Sequence, residues 1–393
     1  MKANDLKGVY RCMAEIDRKA LVNNLSTTRS LSNGADQIAM IKANGYGHGL
    51  IQIASILSEF SDVSFGVTDI DEAIIIRGAG IANDIYLFDG GASCGRSQLL
   101  IDMDITPVIT EIKNVRSLEK RLSDHRSDKK KKIHIKIDTG FNRLGFDHSA
   151  LLKGEYDALF RSVEESRFLD LDGIATHFYG ADSLDWDSME RQIDIFERCI
   201  DHLDDLGIAF RCIHMANSAA IFRNSYSVSK NRETMVRPGL ALYGIASHDG
   251  GEQDKLLPVL SIRAQIIAIR DVARGQGIGY GHSFCAEHDM VIAIVAIGYG
   301  DGIRRSLGNR GHFLLKGRRA PIVGRISMDS CAIDISEIIK ELGRDAVTLG
   351  DQVTVLGQDQ ALSISVDMLA KLDGTIPYEI LTSVSERITR RIV

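Results

Sequence analysis

The first 245 residues alternate short apolar runs of strand type with stretches of amphipathic helical pattern. The runs that fit strands are Gln37–Ala43, Ser64–Thr68, Asp84–Phe88, Thr106–Ile109, Lys132–Ile137, Leu169–Thr176, Cys212–Met215 and Gly239–Tyr243. The helical patterns include Leu50–Phe60, Asp71–Arg77, Val115–Leu122, Ala150–Ser166 and Asp187–Leu206. Eight strands with intervening helices over this length predict an α/β chain that forms a (β/α)8 TIM-type barrel. A doubly wound open sheet is disfavoured because no GxGxxG turn follows the first strand.

The pattern changes near Asp249, where His248–Glu252 is interpreted as a linker. The runs beyond it are of β type and are Ser261–Ile269, Val291–Ile297, Phe313–Lys316, Pro321–Ile326, Cys331–Ile335 and Gln352–Leu356. One late helix is predicted at Val366–Leu372, so a mainly β C-terminal domain follows the barrel. We expect the barrel over residues 14–246 and the β domain over residues 247–393, with residues 1–13 joined to the second.

Bulk composition limits the classes of partner. The net charge is -6 at pH 7, which argues against nucleic acid, and the one basic run, Lys129–Lys132, is interpreted as a solvated loop. No apolar run approaches the roughly 20 residues that span a bilayer, and no signal-peptide pattern is seen, so we expect a cytoplasmic protein with no membrane partner. Six scattered cysteines without a CxxC pair predict reduced thiols and no metal site.

The segment Ile41–Gly49, IKANGYGHG, places Lys42 at the end of an apolar strand and before a glycine-rich turn. In α/β folds, reactive groups lie at the carboxyl ends of strands. A lysine there can be desolvated and used as an imine-forming amine or a proton-transfer group. By itself the segment also fits a lysine that leaves a strand for solvent.

Three further polar segments follow strands, and a fourth surrounds the predicted eighth strand. They are KIDTGFNRLG (136–145), THFYGAD (176–182), HMANSAA (214–220) and MVRPGLALYG (235–244). Barrels of this type often bind phosphate after strands seven and eight, and Ser218 begins a helix-like stretch there. Gly239 allows a close approach to its backbone N–H. Together with Lys42, these features predict a site for a phosphorylated aldehyde that forms an imine.

These motifs, in this order, resemble those of the alanine racemase family, the fold type III enzymes that use pyridoxal 5'-phosphate (PLP). The resemblance covers nearly the whole chain, because GYGHSF, GYGDGIRR, GRISMDS and IPYE in the second half also match. The family usually has alanine where this chain has Gly45. The resemblance implies a racemase that interconverts L- and D-alanine with PLP and assembles as a head-to-tail homodimer, while D-alanine biosynthesis and amino-acid catabolism both remain open as its role.

The resemblance also implies a role for individual residues. Lys42 would bind PLP and act as one catalytic base, and Tyr280 of the partner subunit would be the second base. Arg237 would contact the pyridine nitrogen, supported by His177. Other cofactor-binding residues would be Tyr46, Ser218, Gly239, Leu240 and Tyr378. Arg143 and Met328 would bind the substrate, and Lys136 matches a position that is carbamylated in some members.

The chemistry of racemisation agrees with a pair of bases. A proton must leave one face of the α-carbon and return to the other, which one group cannot easily do. Lysine and tyrosine both have reference pKa values of about 10, so their surroundings must adjust them. An arginine at the pyridine nitrogen keeps its proton, which leaves the ring a weaker electron sink and favours proton transfer over transamination or decarboxylation.

Alternatives remain open at this point. The chain could racemise serine or a basic amino acid, act as a PLP-dependent decarboxylase, or bind PLP without catalysis. Arg237 argues against the decarboxylase, and the pair Lys42 and Tyr280 argues against a mere binder. Taken singly, Tyr280 and His177 fit structural roles, as His48 and His214 do, and Asp301 fits either a turn or a contact with a second subunit.

Overall fold

The computed structural model describes residues 10–124, 130–183, 187–223, 232–246 and 254–393. The chain forms two compact units. The barrel unit comprises Val22–Gly45 and Ile53–Leu257, and the strand-rich unit comprises the described part of Met1–Leu21 with Tyr46–Gln52 and Pro258–Val393. The predicted linker His248–Glu252 lies outside the described residues.

The strands up to residue 237 are β1 (Cys12–Ile16), β2 (Asp36–Met40), β3 (Val63–Val67), β4 (Ile85–Leu87), β5 (Ile105–Ile109), β6 (Lys131–Asp138), β7 (Phe146–Asp147), β8 (Leu169–Ala175), β9 (Cys212–Asn217) and β10 (Met235–Arg237). Among the described residues, the eight parallel strands β2-β3-β4-β5-β6-β8-β9-β10 pair in that order, and β10 pairs with β2 to close the barrel. The predicted (β/α)8 barrel is confirmed.

The eighth strand is displaced from its predicted place. The strand is Met235–Arg237, whereas Leu240–Tyr243, within the run predicted as strand, forms a turn of 3-10 helix. All four residues of that turn are buried. A short apolar run buried on all sides carries no periodicity that separates strand from helix, which is why the prediction was wrong.

The helices described up to residue 221 are Arg18–Leu31, Leu50–Leu57, Ile70–Gly78, Ser97–Asp102, Ile112–Asp124, His148–Leu152, Asp157–Glu164, Asp187–Asp205 and Ser218–Ile221. Asp69 caps Ile70–Gly78, since its side chain accepts from the Asp71 N–H. The single helix predicted for Ala150–Ser166 is instead two, because Gly154 adopts a positive φ of 79° between them. Buried apolar side chains of the barrel strands form the core of this unit.

The strands of the second half are β11 (Leu260–Val272), β12 (Gly277–Ile278), β13 (Phe284–Cys285), β14 (Met290–Val295), β15 (His312–Leu315), β16 (Arg318–Val323), β17 (Cys331–Asp334), β18 (Gln352–Asp359), β19 (Leu362–Ile364) and β20 (Thr389–Ile392). Its α-helices are Ser336–Leu342, Val366–Asp373 and Pro377–Thr382. The main sheet has the order β19-β18-β15-β16-β17-β14-β11-β1-β20. The N-terminal strand β1 therefore pairs with β11 and β20, and the mainly β C-terminal half is confirmed.

The structure contradicts the prediction for part of the basic run and agrees with the prediction for the cysteines. Lys131, in the basic run, is buried at the start of β6 with its Nζ 2.9 Å from Asp104 Oδ1, so a solvated loop is wrong for this residue. Lys129 lies outside the described residues. All six cysteines are free thiols, as expected. Among the described helices, none has the length and hydropathy needed to cross a membrane.

Candidate active site

Lys42 follows the end of β2 and begins a left-handed turn. Ala43, Asn44 and Gly45 have φ values of 51°, 55° and 61°, and Tyr46 continues the turn at 51°. Only glycine adopts this conformation without a steric cost, so tertiary contacts must hold the others. Glu72 supplies such a contact, because its Oε1 accepts from the Asn44 N–H at 3.1 Å.

The strand that leads to Lys42 is also held from the far end of the barrel sequence. The Tyr243 hydroxyl donates to the Met40 carbonyl at 3.0 Å. Burial lowers the pKa of Lys42, and the charge of Arg143 lowers this pKa further, while Glu72 opposes both. The site thus shifts Lys42 toward the neutral amine, which is the nucleophilic and basic form of lysine.

Arg237, the last residue of β10, lies buried with its guanidinium surrounded by acceptors. Its two terminal nitrogens donate to the carbonyls of Thr176, His214 and Met215 at 2.6, 2.7 and 2.9 Å. They also contact His214 Nδ1 at 2.6 Å and His177 Nδ1 at 3.4 Å. Burial lowers the pKa of Arg237 to about 10, so it remains charged at neutral pH.

His177 lies within a group of cations. Burial lowers its pKa well below the usual value, and the charges of Arg237, Arg143, Lys136 and Lys42 lower it further. Burial likewise lowers the pKa of Lys136 to about 8, with Asp138 opposing and the two arginines reinforcing the change. These basic side chains lie close enough for their charges to lower the pKa values of their neighbours. Such a concentration of positive charge suits a site for anionic groups.

Ser218 links the two segments that follow β9 and β10. Its hydroxyl accepts from the Gly239 N–H at 2.8 Å and from the Ala241 N–H at 3.2 Å. Ser218 begins the helix Ser218–Ile221, and Asn217 caps that helix by accepting from Ala220 N–H. Gly239, Leu240 and Ser218 are therefore adjacent, as the two motifs predicted.

The loop after β6 is organised by Asp138. Its carboxylate accepts from the backbone N–H groups of Gly140, Asn142 and Arg143 at 2.9, 3.0 and 2.9 Å. Burial acts to raise the pKa of Asp138, but these hydrogen bonds outweigh it and lower that pKa. The Arg143 guanidinium lies 4.1 Å from the centre of the Phe141 ring and remains exposed.

The other predicted site residues belong to the strand-rich unit. Tyr46 is buried there, with its ring centre 5.9 Å from that of Tyr378. The adjoining Gly47 has no alternative, because a Cβ at this position would lie 1.9 Å from the Leu381 carbonyl oxygen. Burial, with the nearby Tyr378, raises the pKa of Tyr46 above its usual value, so this tyrosine stays protonated.

Tyr280 is 70% exposed and lies in the 3-10 turn Tyr280–His282, between two glycines of positive φ. Together with Ser327 this turn lines an open cavity of about 540 Å³. Met328 is also exposed. Asp301 is fully buried and ion-paired with Arg11, which favours the turn-forming role over a contact with a second subunit.

Several site residues were missed from the sequence. His214 was interpreted as structural, yet it contacts Arg237 more closely than His177 does. Glu233 accepts from the Met215 and Ala216 N–H groups, and burial raises its pKa to about 7. Glu72 holds the turn of Lys42. The sequence shows that Glu72 and Glu233 are acidic, but it does not show which groups they contact, because their partners are distant in sequence.

Metal ligands were not expected. Within the described ranges, His134, Asp172 and Cys212 place ligand atoms within 4.8 Å of one another, a spacing that could hold a metal ion. Asp172 Oδ2 already forms hydrogen bonds with the other two residues, because it lies 3.2 Å from His134 Nε2 and 3.4 Å from Cys212 Sγ.

Comparison with protein families gives two matches that together cover nearly the whole chain. Residues 16–247 match the alanine racemase N-terminal domain, and residues 259–392 match the alanine racemase C-terminal domain. An alanine racemase of Geobacter sulfurreducens is 34% identical over 384 residues, which is 96% of this chain and 96% of that protein.

Solved structures agree with the sequence matches. The Bacillus anthracis alanine racemase with bound L-Ala-P has a TM-score of 0.85 and 30% identity, over 98% of this chain and 96% of that one. The Bartonella henselae alanine racemase with covalently bound pyridoxal phosphate has a TM-score of 0.83 and 27% identity, over 98% and 100%. The chain belongs to the alanine racemase family.

Proposed function

We propose that Lys42 and Tyr280 perform the two proton transfers by which this chain interconverts L- and D-alanine. The chain is an isomerase of the amino-acid racemase class, and its homologues racemise alanine. The observation that carries the assignment of Lys42 is its burial near Arg143 and His177, because burial and the charge of Arg143 lower the pKa of its amine. An uncharged amine can accept the proton of an amino acid.

The residues present fit PLP, the cofactor of this family. A concentration of positive charge suits its phosphate dianion, and Lys42 offers an amine of lowered pKa for its aldehyde. We propose that Lys42, Tyr46, His177, Ser218, Arg237, Gly239, Leu240 and Tyr378 hold it. When bound, PLP would supply an electron sink that acidifies the α-hydrogen of the amino acid.

Arg237 sets the strength of that sink. Its guanidinium stays charged at neutral pH and does not release a proton, and none of the hydrogen bonds described for it uses Nε, so Nε–H would be the donor toward the ring. A pyridine nitrogen that accepts from Arg237 would remain unprotonated. This supports racemisation over decarboxylation, because a weaker electron sink leaves proton transfer as the favoured outcome.

Tyr280 would serve the opposite face from the partner subunit of a head-to-tail homodimer. Its side chain is 70% exposed, and Met328, Ile376 and Tyr378 in the same unit are also exposed. We infer that another molecule covers these exposed apolar side chains. In this proposal residues 247–393, with residues 1–13, form the domain that covers the partner's barrel of residues 14–246.

Arg143 and Met328 would contact the substrate, and Arg143 would bind its carboxylate. Lys136 would be carbamylated, because a pKa of about 8 leaves a fraction of neutral amine that reacts with carbon dioxide. The carbamate would replace one cation of the group by an anion beside Arg143. A ¹³C carbamate signal from protein in ¹³C-bicarbonate, absent from Lys136→Met, is the expected result. The cytoplasmic location stays a prediction.

The test combines cofactor mapping with turnover. PLP-loaded protein is reduced with borohydride and mapped by mass spectrometry, and chiral chromatography follows L- and D-alanine, serine, lysine and arginine. We expect PLP on Lys42 and racemisation of alanine above all others. Lys42→Ala should abolish both, whereas Lys153→Ala, an exposed barrel lysine, should abolish neither. Preference for a basic amino acid, or labelling without any turnover, would contradict the proposal.

A further inference from the structure

A chain of buried polar side chains runs through the barrel unit from Arg237 to Asp172. Arg237 lies 2.6 Å from His214 Nδ1, and His214 Nε2 lies 2.8 Å from His134 Nδ1. His134 Nε2 in turn lies 3.2 Å from Asp172 Oδ2. Both histidines are fully buried, and the two ends are nearly so. This series of hydrogen bonds thus joins β6, β8, β9 and β10.

The direction of every hydrogen bond in this chain follows from its ends. A guanidinium only donates, so His214 Nδ1 must accept and the proton of that ring must be on Nε2. That proton points to His134 Nδ1, so His134 also carries its proton on Nε2 and donates to Asp172. A carboxylate only accepts, so both ends require the same neutral tautomers. Burial lowers the pKa of both histidines, which agrees with neutral rings.

Asp172 is fixed at the far end by two further donors. Arg211 Nε donates to Oδ1 at 2.6 Å, and Cys212 Sγ lies 3.4 Å from Oδ2. Burial acts to raise the pKa of Asp172, but hydrogen bonds from His134, Arg211 and Cys212 outweigh it and lower that pKa. Asp172 is therefore an anion whose charge reaches Arg237 only through two neutral rings.

The fold also makes room for this arrangement. A Cβ at Gly173 would lie 2.6 Å from His134 ring atoms, so only glycine allows the ring to occupy this place. The Tyr86 ring covers His134 with a centre-to-centre distance of 4.7 Å. Within the described residues, no carboxylate forms a hydrogen bond to Arg237. The charge of Arg237 is opposed by that of Glu233, which forms no hydrogen bond to it, so in the described part of the chain no carboxylate takes up its N–H groups.

We propose that Asp172, His134 and His214 are positioning residues, which fix Arg237 as a charged donor toward the cofactor ring. The inference rests on the role proposed above for Arg237. A carboxylate bonded directly to Arg237 would compete with the pyridine nitrogen for its N–H groups. Here His214 and three backbone carbonyls take up the N–H groups of the two terminal nitrogens, and none of the hydrogen bonds described for Arg237 uses Nε, so Nε–H is the donor left for the pyridine nitrogen.

The first test uses PLP-free protein, so it does not depend on cofactor binding. ¹⁵N NMR of histidine-labelled protein should show His134 and His214 neutral, with the proton on Nε2, from pH 6 to pH 8. A coupling between His134 Nδ1 and His214 Nε2 should be detectable across their hydrogen bond. A proton on Nδ1 of either ring, or a charged ring, would overturn the inference without any variant.

The second test asks whether Asp172 acts on Arg237. Asp172→Asn removes the acceptor charge, so the His214 Nδ1 and Arg237 Nη signals should shift. Asp170→Asn removes a neighbouring charge that also accepts from Arg211, at 2.5 Å, but bonds to neither histidine, and should shift neither signal. Equal responses in the two variants, or no response in either, would overturn the proposal.

The third measurement uses PLP-loaded protein. Asp172→Asn should change the absorbance spectrum of bound PLP and lower kcat on the order of tenfold, the effect of losing one charged hydrogen bond. Asp170→Asn should keep the spectrum and a kcat within about twofold. The positioning role alone would be overturned if Asp172→Asn shifted the His214 and Arg237 signals of the PLP-free protein but left the absorbance spectrum of bound PLP unchanged. Failure of the unaltered protein to bind PLP or racemise alanine would instead overturn the proposed function.

Discussion

The two units of this chain carry functional residues in opposite environments. In the barrel unit Arg237 is buried, with each of its terminal nitrogens directed at a neighbouring acceptor. In the strand-rich unit Tyr280 is 70% exposed, on a 3-10 turn flanked by glycines of positive φ. The side chain of Arg237 is therefore fixed by contacts within one unit, whereas most of the Tyr280 side chain is open to solvent.

This difference separates residues that contribute to both stability and activity from residues that contribute to activity alone. A buried, hydrogen-bonded cation cannot be removed without leaving its partners unsatisfied, so its loss should destabilise the fold as well as inactivate the protein. An exposed tyrosine has few contacts to lose, so its loss should affect activity alone. If Tyr280 acts in the partner's site, the two kinds of residue must come from different chains.

The largest expected effect comes from mixing two inactive variants. Lys42→Ala and Tyr280→Phe homodimers should each lose racemisation by about 10³-fold, because each lacks one base. Random 1:1 mixing should restore about a quarter of the unmixed activity, since half of the dimers hold one complete site. Tyr10→Phe, another exposed tyrosine, serves as the control and should stay active. Verified heterodimers without activity would show that both bases come from one chain.

The next effect compares the stabilities of the two units. Arg237→Leu leaves three buried carbonyls without their donor and should lower the free energy of unfolding by about 3 kcal/mol. Tyr280→Phe should change it by no more than about 0.5 kcal/mol. Urea unfolding of PLP-free protein gives both values. Similar losses in the two variants would end the distinction drawn between the units.

A smaller effect should appear at Lys136, and it depends on pH. The pKa of Lys136 is about 8 in the folded protein against 10.5 for an ordinary lysine, so below pH 8 its charge destabilises the fold. Lys136→Met should therefore raise the free energy of unfolding by about 1–2 kcal/mol at pH 7. This gain should shrink between pH 8 and 10.5. Lys136 is already neutral in the folded protein over that range, and it loses its proton in the unfolded chain as the pH approaches 10.5. Denaturant unfolding in buffer free of carbon dioxide measures it, and a pH-independent difference would count against the shift.

The smallest expected effect concerns the turns that carry Lys42 and Tyr280, the two proposed bases. Gly45→Ala and Gly281→Ala both place a Cβ on a left-handed residue and should each cost about 1 kcal/mol. Only Gly45→Ala should weaken PLP binding, because that turn carries Lys42. The control is Gly78→Ala, where a Cβ meets nothing within 4 Å, and it should leave stability equal or higher. Weaker PLP binding in Gly281→Ala would contradict the division.

Much of the barrel site was predictable because its signals are local. The positions of Lys42, Ser218, Gly239 and Arg237 at or after strands follow from short motifs, and the structure places them there. The eighth strand was misplaced, since Leu240–Tyr243 is apolar throughout and gives no periodicity. The assignment of Tyr280 still depends on the family resemblance, because nothing in its local sequence distinguishes a base from a turn tyrosine.

The sequence alone determined the barrel, the mainly β second half and the family, because strand and helix periods and ordered motifs are encoded by residues close together in the chain. Only the tertiary structure decided which polar groups meet. His134 and His214 are 80 positions apart, and His134 and Asp172 are 38 apart, so closure of the barrel and the register of its strands bring them together. The left-handed turn after Lys42 was equally invisible, since Ala43 and Tyr46 adopt it only where distant contacts such as Glu72 hold the backbone.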